Sequence, residues 1–373
     1  MQRRSTGGGV SSSWAWCRSS SWAWCRRPMM RRTTTSPRTF PATPGSGCRT
    51  PPPEQEHAVT RNEQQLDRAV GAVLASAAGD ALGSQYEFGP ALPDDRPLDF
   101  GIGHFGHARG EWTDDTSMAV PILRALAAGE SLTDPETLGG VVVAWLAWSL
   151  TARNVGVQTS AVLRGLRGEP TEEEAVRAAR AVHERTGRSA GNGSLMRTGP
   201  VALGHLADGA EPGLVEAATR IAALTHTEPD NADACVLWCL AIRHAIRMGE
   251  LAMTDQLGWL PAERRDRWAG LIDEATAPGV RPHDFAAQNG WVVAAFQAAL
   301  AAITHTGSLV SALEEAVRGG RDTDTVAAIT GSLAGALHGA SALPQEWLPL
   351  LHGWPGLRAD DLADLAKQAV WLT

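Results

Sequence analysis

Two acidic triplets far apart in the chain, Thr113-Asp114-Asp115 and Asp322-Thr323-Asp324 with Thr325 behind it, each pack hard oxygen ligands into a single turn. Carboxylate and hydroxyl oxygens suit Mg²⁺ or Mn²⁺, whereas Zn²⁺ and Cu²⁺ sites usually take His or Cys, and neither triplet offers those. The chemistry such a pair could do is metal-assisted hydrolysis. Helix capping is the competing role for either triplet alone, because short oxygen side chains accept bonds from free N–H groups at a helix N-terminus. Each triplet leads into an apolar helical run, Met118-Ala119-Val120 and Val326-Ala327-Ala328. Two such clusters in one chain favour a shared two-metal site over two independent caps.

Three further segments could converge on the same place. Gly79-Asp80-Ala81-Leu82-Gly83 closes an apolar helix and is followed by Glu87, a carboxylate that could act as general base or as a metal-linked acid; standing alone it would read as an exposed post-helix Glu. In Gly191-Asn192-Gly193-Ser194-Leu195-Met196-Arg197 the glycines would let backbone N–H groups approach an anion, although Gly-Asn-Gly is also an ordinary tight turn. His226, in Thr225-His226-Thr227-Glu228-Pro229, ends one helix just before a proline that opens the next, at a cavity rim, with a hydrogen-bonded structural role the alternative. In the second triplet, Gly319-Gly320 allows the sharp turn that projects Asp322 and Asp324 to one side.

These five segments, in this order over about residues 66–340, resemble the ADP-ribosylglycohydrolase family. The resemblance implies an all-α fold, an orthogonal multi-helix bundle, with two Mg²⁺ or Mn²⁺ ions at the base of an ADP-ribose cleft. Thr113, Asp114 and Asp115 would serve the metals from one side, and Asp322, Asp324 and Thr325 from the other, with Asp324 bridging. Glu87, Asp115 and Asp324 would be catalytic. Gly191, Asn192, Gly193 and Ser194 match the loop near pyrophosphate and ribose, and His226 matches a ligand-contacting position. Asn154, in Asn154-Val155-Gly156, stands where relatives commonly carry Asp, and an amide cannot shuttle a proton. The implied activity is hydrolysis of ADP-ribose from arginine or serine side chains of a modified protein or peptide. A non-catalytic ADP-ribose-binding member is the alternative, supported by Asn154 alone. A two-metal phosphoesterase would fit the ligands but not the order of the segments.

The elements that must position these residues are helical. From about Asn62 the chain is rich in Ala, Leu and Val at helical spacing. Leu66, Val70, Val73 and Leu74 form a stripe that Ala75 to Ala81 continues with small residues permitting close helix contact. Further helices are predicted at about 116–128, 138–150, 158–166, 172–185, 212–224, 232–248, 262–275, 285–303, 309–317 and 324–338, with no β-branched runs to build a parallel sheet. Residues 62–373 are expected to form one catalytic domain.

Residues 1–61 read as a disordered, low-complexity tail, with the octet Ser-Ser-Ser-Trp-Ala-Trp-Cys-Arg repeated at 11–18 and 19–26. That tail is either an aromatic and basic arm for a membrane surface or RNA, or translated sequence upstream of a mis-set start. It holds ten Arg against two Glu, which leaves residues 62–373 at −16 within a total of −8. An acidic body argues against nucleic-acid binding and suits a cavity neutralised by divalent cations. Cys235 and Cys239 share an apolar helix face and read as buried thiols rather than soft-metal ligands. A monomeric, cytoplasmic protein without membrane spans is expected.

Overall fold

The computed structural model describes residues 53–371, with side chains from 62 onward; the octet repeats and the arm or upstream reading attached to them lie outside the described residues. The fold is all-α. Helices run at α1 (Pro53–Gly83), α2 (Asp114–Ala127), α3 (Pro135–Ser149), α4 (Val157–Leu163), α5 (Glu172–Thr186), α6 (Leu195–Thr198), α7 (Glu211–Ala223) and α8 (Pro229–Met248). They continue through α9 (Ala262–Thr276), α10 (Val292–Thr304), α11 (Leu309–Arg318), α12 (Thr323–His338) and α13 (Ala359–Trp371). Among the described residues the strands are confined to a two-residue antiparallel pair, His352–Gly353 against Leu357–Arg358.

The first and twelfth helices form the spine, and small residues are the reason they can. Gly71, Ala75, Gly79 and Gly83 recur every fourth position on α1 and face Gly335, Gly331, Ala327 and Asp324 in antiparallel order on α12. A Cβ on Gly79 would sit 2.2 Å from the Ala327 carbonyl oxygen, and one on Gly83 2.5 Å from the Asp324 Cα. The two backbones therefore touch, and the last turn of α1 lies against the first turn of α12. This contact sets Asp80 beside Asp324. The spine is enclosed by a continuous apolar core in which Trp238, Phe296 and Trp268 meet edge to face, with ring centroids 5.1 Å apart. Cys235 and Cys239 are fully buried free thiols, and burial pushes both up from the usual thiol range.

Two elements depart from the sequence expectation. The helix expected at 285–303 is interrupted: a 3₁₀ turn (Pro282–Gln288) is separated from α10 by Asn289-Gly290-Trp291. There the backbone pairs sideways, Asn192 N–H donating to Gly290 O at 3.1 Å and Val292 N–H to Ala190 O at 2.9 Å. The break is what docks the Gly-Asn-Gly loop. The second departure is α13, an amphipathic helix that buries Leu362, Ala366 and Ala369 and packs on α1 and α2, and that the periodicity reading had not included. No helix among the described residues is long and apolar enough to cross a membrane.

Candidate metal centre and cleft

The first acidic triplet opens α2 and the second opens α12, yet neither caps its own helix. Thr113 and Asp322 occupy the N-cap positions without making a side-chain capping bond. For α2 the capping carboxylate comes from across the spine. Asp80 accepts from Thr113 N–H at 2.8 Å, Thr116 N–H at 3.0 Å and the Thr116 hydroxyl at 2.7 Å. With its N-terminus satisfied in this way, α2 can turn Asp114 and Asp115 toward α12 instead. The triplets meet through Thr113, whose hydroxyl donates to Asp115 Oδ2 at 3.0 Å and lies 3.5 Å from Asp324 Oδ2.

Oxygens of Asp80, Asp115 and Asp324 lie within 4.8 Å of one another, and so do oxygens of Glu87, Asp322 and Asp324. Asp324 is common to both groups. Two residues in left-handed backbone conformation hold the outer group in place: Phe88 (φ 62°) donates its N–H to Arg321 O at 2.6 Å, and Arg321 (φ 64°) donates to Gly89 O at 2.8 Å. Such strained backbone persists only where the surroundings enforce it, here directly beside Glu87 and Asp322. Gly320 reaches φ 80° in the same turn, where a Cβ would strike the Ala91 nitrogen at 2.5 Å, which accounts for the Gly-Gly ahead of the acids.

The burial of so many acids has an electrostatic signature. Burial raises Asp80 to about 6, opposed by its hydrogen bonds. Burial, then the Asp80 charge, raises Asp114 to about 7. For Glu87, burial followed by Asp322 and Asp114 gives about 8. Asp115 and Asp324 are held well above the usual carboxylate range by burial and by neighbouring acids. Asp115 Oδ1 is buried with no hydrogen-bond partner among the described residues. Like charges gathered in a low-dielectric site and left short of donors are what a divalent cation neutralises.

A cleft of about 960 Å³ opens onto the cluster. Of the residues nominated from the sequence, Glu87, Asp114, Asn154, Gly191, Asn192, Gly193, His226, Asp322, Asp324 and Thr325 line it. Glu87 is only 8% exposed, so the exposed post-helix reading does not hold. Thr113 and Asp115 are buried behind the lining, linked to it where the Thr113 hydroxyl meets Asp324. Ser194 is fully buried and bonds inward to Asn231 Nδ2 at 2.7 Å, so its side chain does not line the cleft. His226 is part of the wall rather than the rim, 2% exposed. Asn154 Nδ2 lies 3.4 Å from Asp114 Oδ1, beside the inner acids.

Sequence reasoning missed three residues. Asp80 lies in the segment 79–83, and its signal is an Asp on an otherwise apolar helix face. Asn289 donates to Gly320 O at 3.0 Å and accepts from Asp322 N–H at 3.3 Å, fixing the turn that carries Asp322. Asn231 donates to Gly191 O at 2.7 Å and so holds the glycine loop. The last two act across long chain separations, and nothing local in the sequence announces them. Asn192, in turn, donates to Asp322 Oδ2 at 2.7 Å and to Asn289 O at 2.9 Å.

Comparison with known proteins agrees with this arrangement. Residues 61–372 match the sequence profile of the ADP-ribosylglycohydrolase family. The chain is 32% identical over 294 residues to the ADP-ribosylarginine hydrolase Tri1 of Pseudomonas putida (strain GB-1), covering 77% of this chain and 74% of that protein. It is 30% identical over 304 residues to the ADP-ribosyl-[dinitrogen reductase] glycohydrolase of Rhodospirillum rubrum, covering 76% of this chain and 90% of the relative. A solved structure described as an ADP-ribosylglycohydrolase-related protein complex superposes with a TM-score of 0.61 at 26% identity, over 83% of this chain and 99% of its own. With an all-α fold, an acid-floored cleft and a family profile spanning the whole described body, this chain belongs to the ADP-ribosylglycohydrolases, hydrolases of the glycosidic bonds of ADP-ribose.

Proposed function

We propose that this protein removes ADP-ribose from arginine side chains of modified proteins, using two Mg²⁺ or Mn²⁺ ions in a single catalytic domain over residues 62–373. The observation that carries the reading is that Asp324 belongs to two adjacent groups of acids, one with Asp80 and Asp115 and one with Glu87 and the half-buried Asp322. The donor set is all oxygen, and Asp115 Oδ1 is a buried oxygen left without a hydrogen-bond partner among the described residues, so the residues fit hard divalent cations. Asp115, Asp324 and Thr113 would hold one ion, and Asp114, Asp322, Asp324 and Thr325 the other. Ions held there would neutralise the acids, orient the ribose hydroxyls and lower the pKa of a water.

The chain's own groups do the rest. Glu87 lines the cleft, and in its ionised form, which cations held beside it would favour, it can take a proton from water attacking the anomeric carbon as the bond to the acceptor breaks. The Gly191-Asn192-Gly193 loop forms the wall against which the pyrophosphate and ribose would lie. Asn192 also holds Asp322 in position, so the loop couples substrate contact to the outer acids. The arginine acceptor is inferred from the relatives, one of which is named an ADP-ribosylarginine hydrolase. Asn154 cannot relay a proton to a guanidine leaving group, and that step falls to Glu87.

The test is release of free ADP-ribose from arginine-linked and serine-linked ADP-ribosyl peptides with Mg²⁺, with Mn²⁺ and with chelator, alongside Asp324→Asn. Metal-dependent release from the arginine linkage, lost in the variant, is expected. Binding of ADP-ribose without release from either peptide would overturn the catalytic reading.

A further inference from the structure

Behind the glycine loop lies a buried chain of groups that the proposed chemistry does not use. Arg197 is fully buried and has no carboxylate partner among the described residues; its guanidinium stacks over Trp145 at 4.2 Å and donates through Nη2 to Ile221 O at 3.3 Å and to the Thr225 hydroxyl at 2.6 Å. The same hydroxyl lies 2.7 Å from His226 Nδ1. The far edge of the imidazole faces the cleft under the two glycines: a Cβ on Gly191 would come 3.4 Å from Nε2, and one on Gly193 3.3 Å from Cε1.

Hydrogen-bond bookkeeping determines which nitrogen carries the proton. An arginine donates and never accepts, so the Thr225 oxygen must accept from Arg197. Thr225 is 1% exposed, and among the described residues its own hydroxyl proton has one acceptor within reach, His226 Nδ1. If Nδ1 carried the proton instead, the buried hydroxyl hydrogen would be left without a partner, which is costly. Burial and the nearby Arg197 charge hold the imidazole well below its usual range, so it is neutral. Burial lowers Arg197 only to about 9, so it stays a cation and a donor at neutral pH.

We infer that Arg197 and Thr225 are positioning residues that lock His226 as the Nε2–H tautomer, a neutral donor presented through the glycine loop to a ligand oxygen, either of pyrophosphate or of ribose. A neutral donor recognises the oxygen without adding a cation that would compete with metal ions for the same acids. This deepens the hydrolase reading and rests on it.

The first readout needs no ligand: isotope-labelled histidine and proton–nitrogen correlation spectra of the full chain, with His226 assigned by its disappearance in His226→Gln. The native protein should show Nε2–H. Thr225→Val, which keeps the shape and removes the relay, should populate Nδ1–H and weaken ADP-ribose binding by about tenfold, the worth of one hydrogen bond. Thr225→Ser should restore both. Should Thr225→Val fail to fold, His226→Gln, with an amide donor near the Nε2 position, should bind ADP-ribose more tightly than His226→Asn, whose amide sits near Nδ1. A native Nδ1–H tautomer, an unaltered tautomer in Thr225→Val, or equal loss in His226→Gln and His226→Asn would overturn the relay. A native Nε2–H tautomer with no ADP-ribose binding at all would instead overturn the hydrolase reading and the ligand half of this proposal with it.

Discussion

Removing divalent metal should make this protein less stable as pH rises, and the cluster sets how much. Asp80 is fully buried and raised from 3.8 to about 6, a difference of roughly two pH units and so about 3 kcal/mol between folded and unfolded chains. Asp114, raised to about 7, pushes the same way. Because the native carboxyls keep their protons to higher pH than the unfolded ones, the native state binds more protons between about pH 4 and pH 8. The metal-free native state is therefore favoured at the acid end of that window and loses the advantage as pH rises through 6, 7 and 8. In a domain of this size about 3 kcal/mol corresponds to a fall of roughly 6 °C in Tm. Thermal unfolding in chelator at pH 5, 6, 7 and 8 measures the slope, and adding Mn²⁺ or Mg²⁺ at pH 8 should recover it, since a ligand that binds only the folded state stabilises it. Asp324→Asn removes the acid shared by both groups, so its metal-free Tm at pH 8 should exceed that of the native protein while its gain from metal disappears. A metal-free Tm that is level or rising from pH 5 to pH 8 would refute the reasoning, because buried acids without cations cannot give that slope.

Asn192→Ala frees Asp322 from its 2.7 Å donor and should weaken Mn²⁺ binding by about 10- to 100-fold, read by calorimetry; unchanged affinity would mean that Asp322 needs no such support. Gly79→Ala drives a Cβ into the Ala327 carbonyl and should cost about 1–3 kcal/mol or more in denaturant unfolding, and an unmoved midpoint would show that α1 and α12 have room to separate. Asn154→Asp places a carboxylate beside Asp114. It should lower the metal-free Tm at pH 8 and raise release from the arginine-linked peptide by about tenfold or more, an increase that would not appear if no acid is needed at that point.

What could be read from the sequence follows how locally each feature is encoded. The long apolar helices were legible because a repeat of 3.6 residues is written into consecutive positions, and the small residues from Ala75 to Ala81 correctly signalled a close helix contact. Each acidic triplet was legible because its oxygens and its helix start lie within a few consecutive residues, and the occurrence of two such triplets in one chain pointed to a shared site. The break at Asn289-Gly290 was not, since the apolar run from Phe285 to Ile303 has helical spacing throughout and the competing hydrogen bonds come from Ala190 and Asn192, about a hundred residues away. Ser194 and Asn192 illustrate the same limit within one motif. Both are short polar residues on a glycine loop, and nothing in their identity says that one turns outward to Asp322 while the other turns inward to Asn231. Asn231 decides it, by occupying the inner side of the loop with donors to Gly191 O and Ser194 Oγ. Motif residues thus identify which chemistry converges, whereas the residues that aim them, Asp80, Asn231 and Asn289, are chosen by the tertiary packing and carry no local pattern of their own.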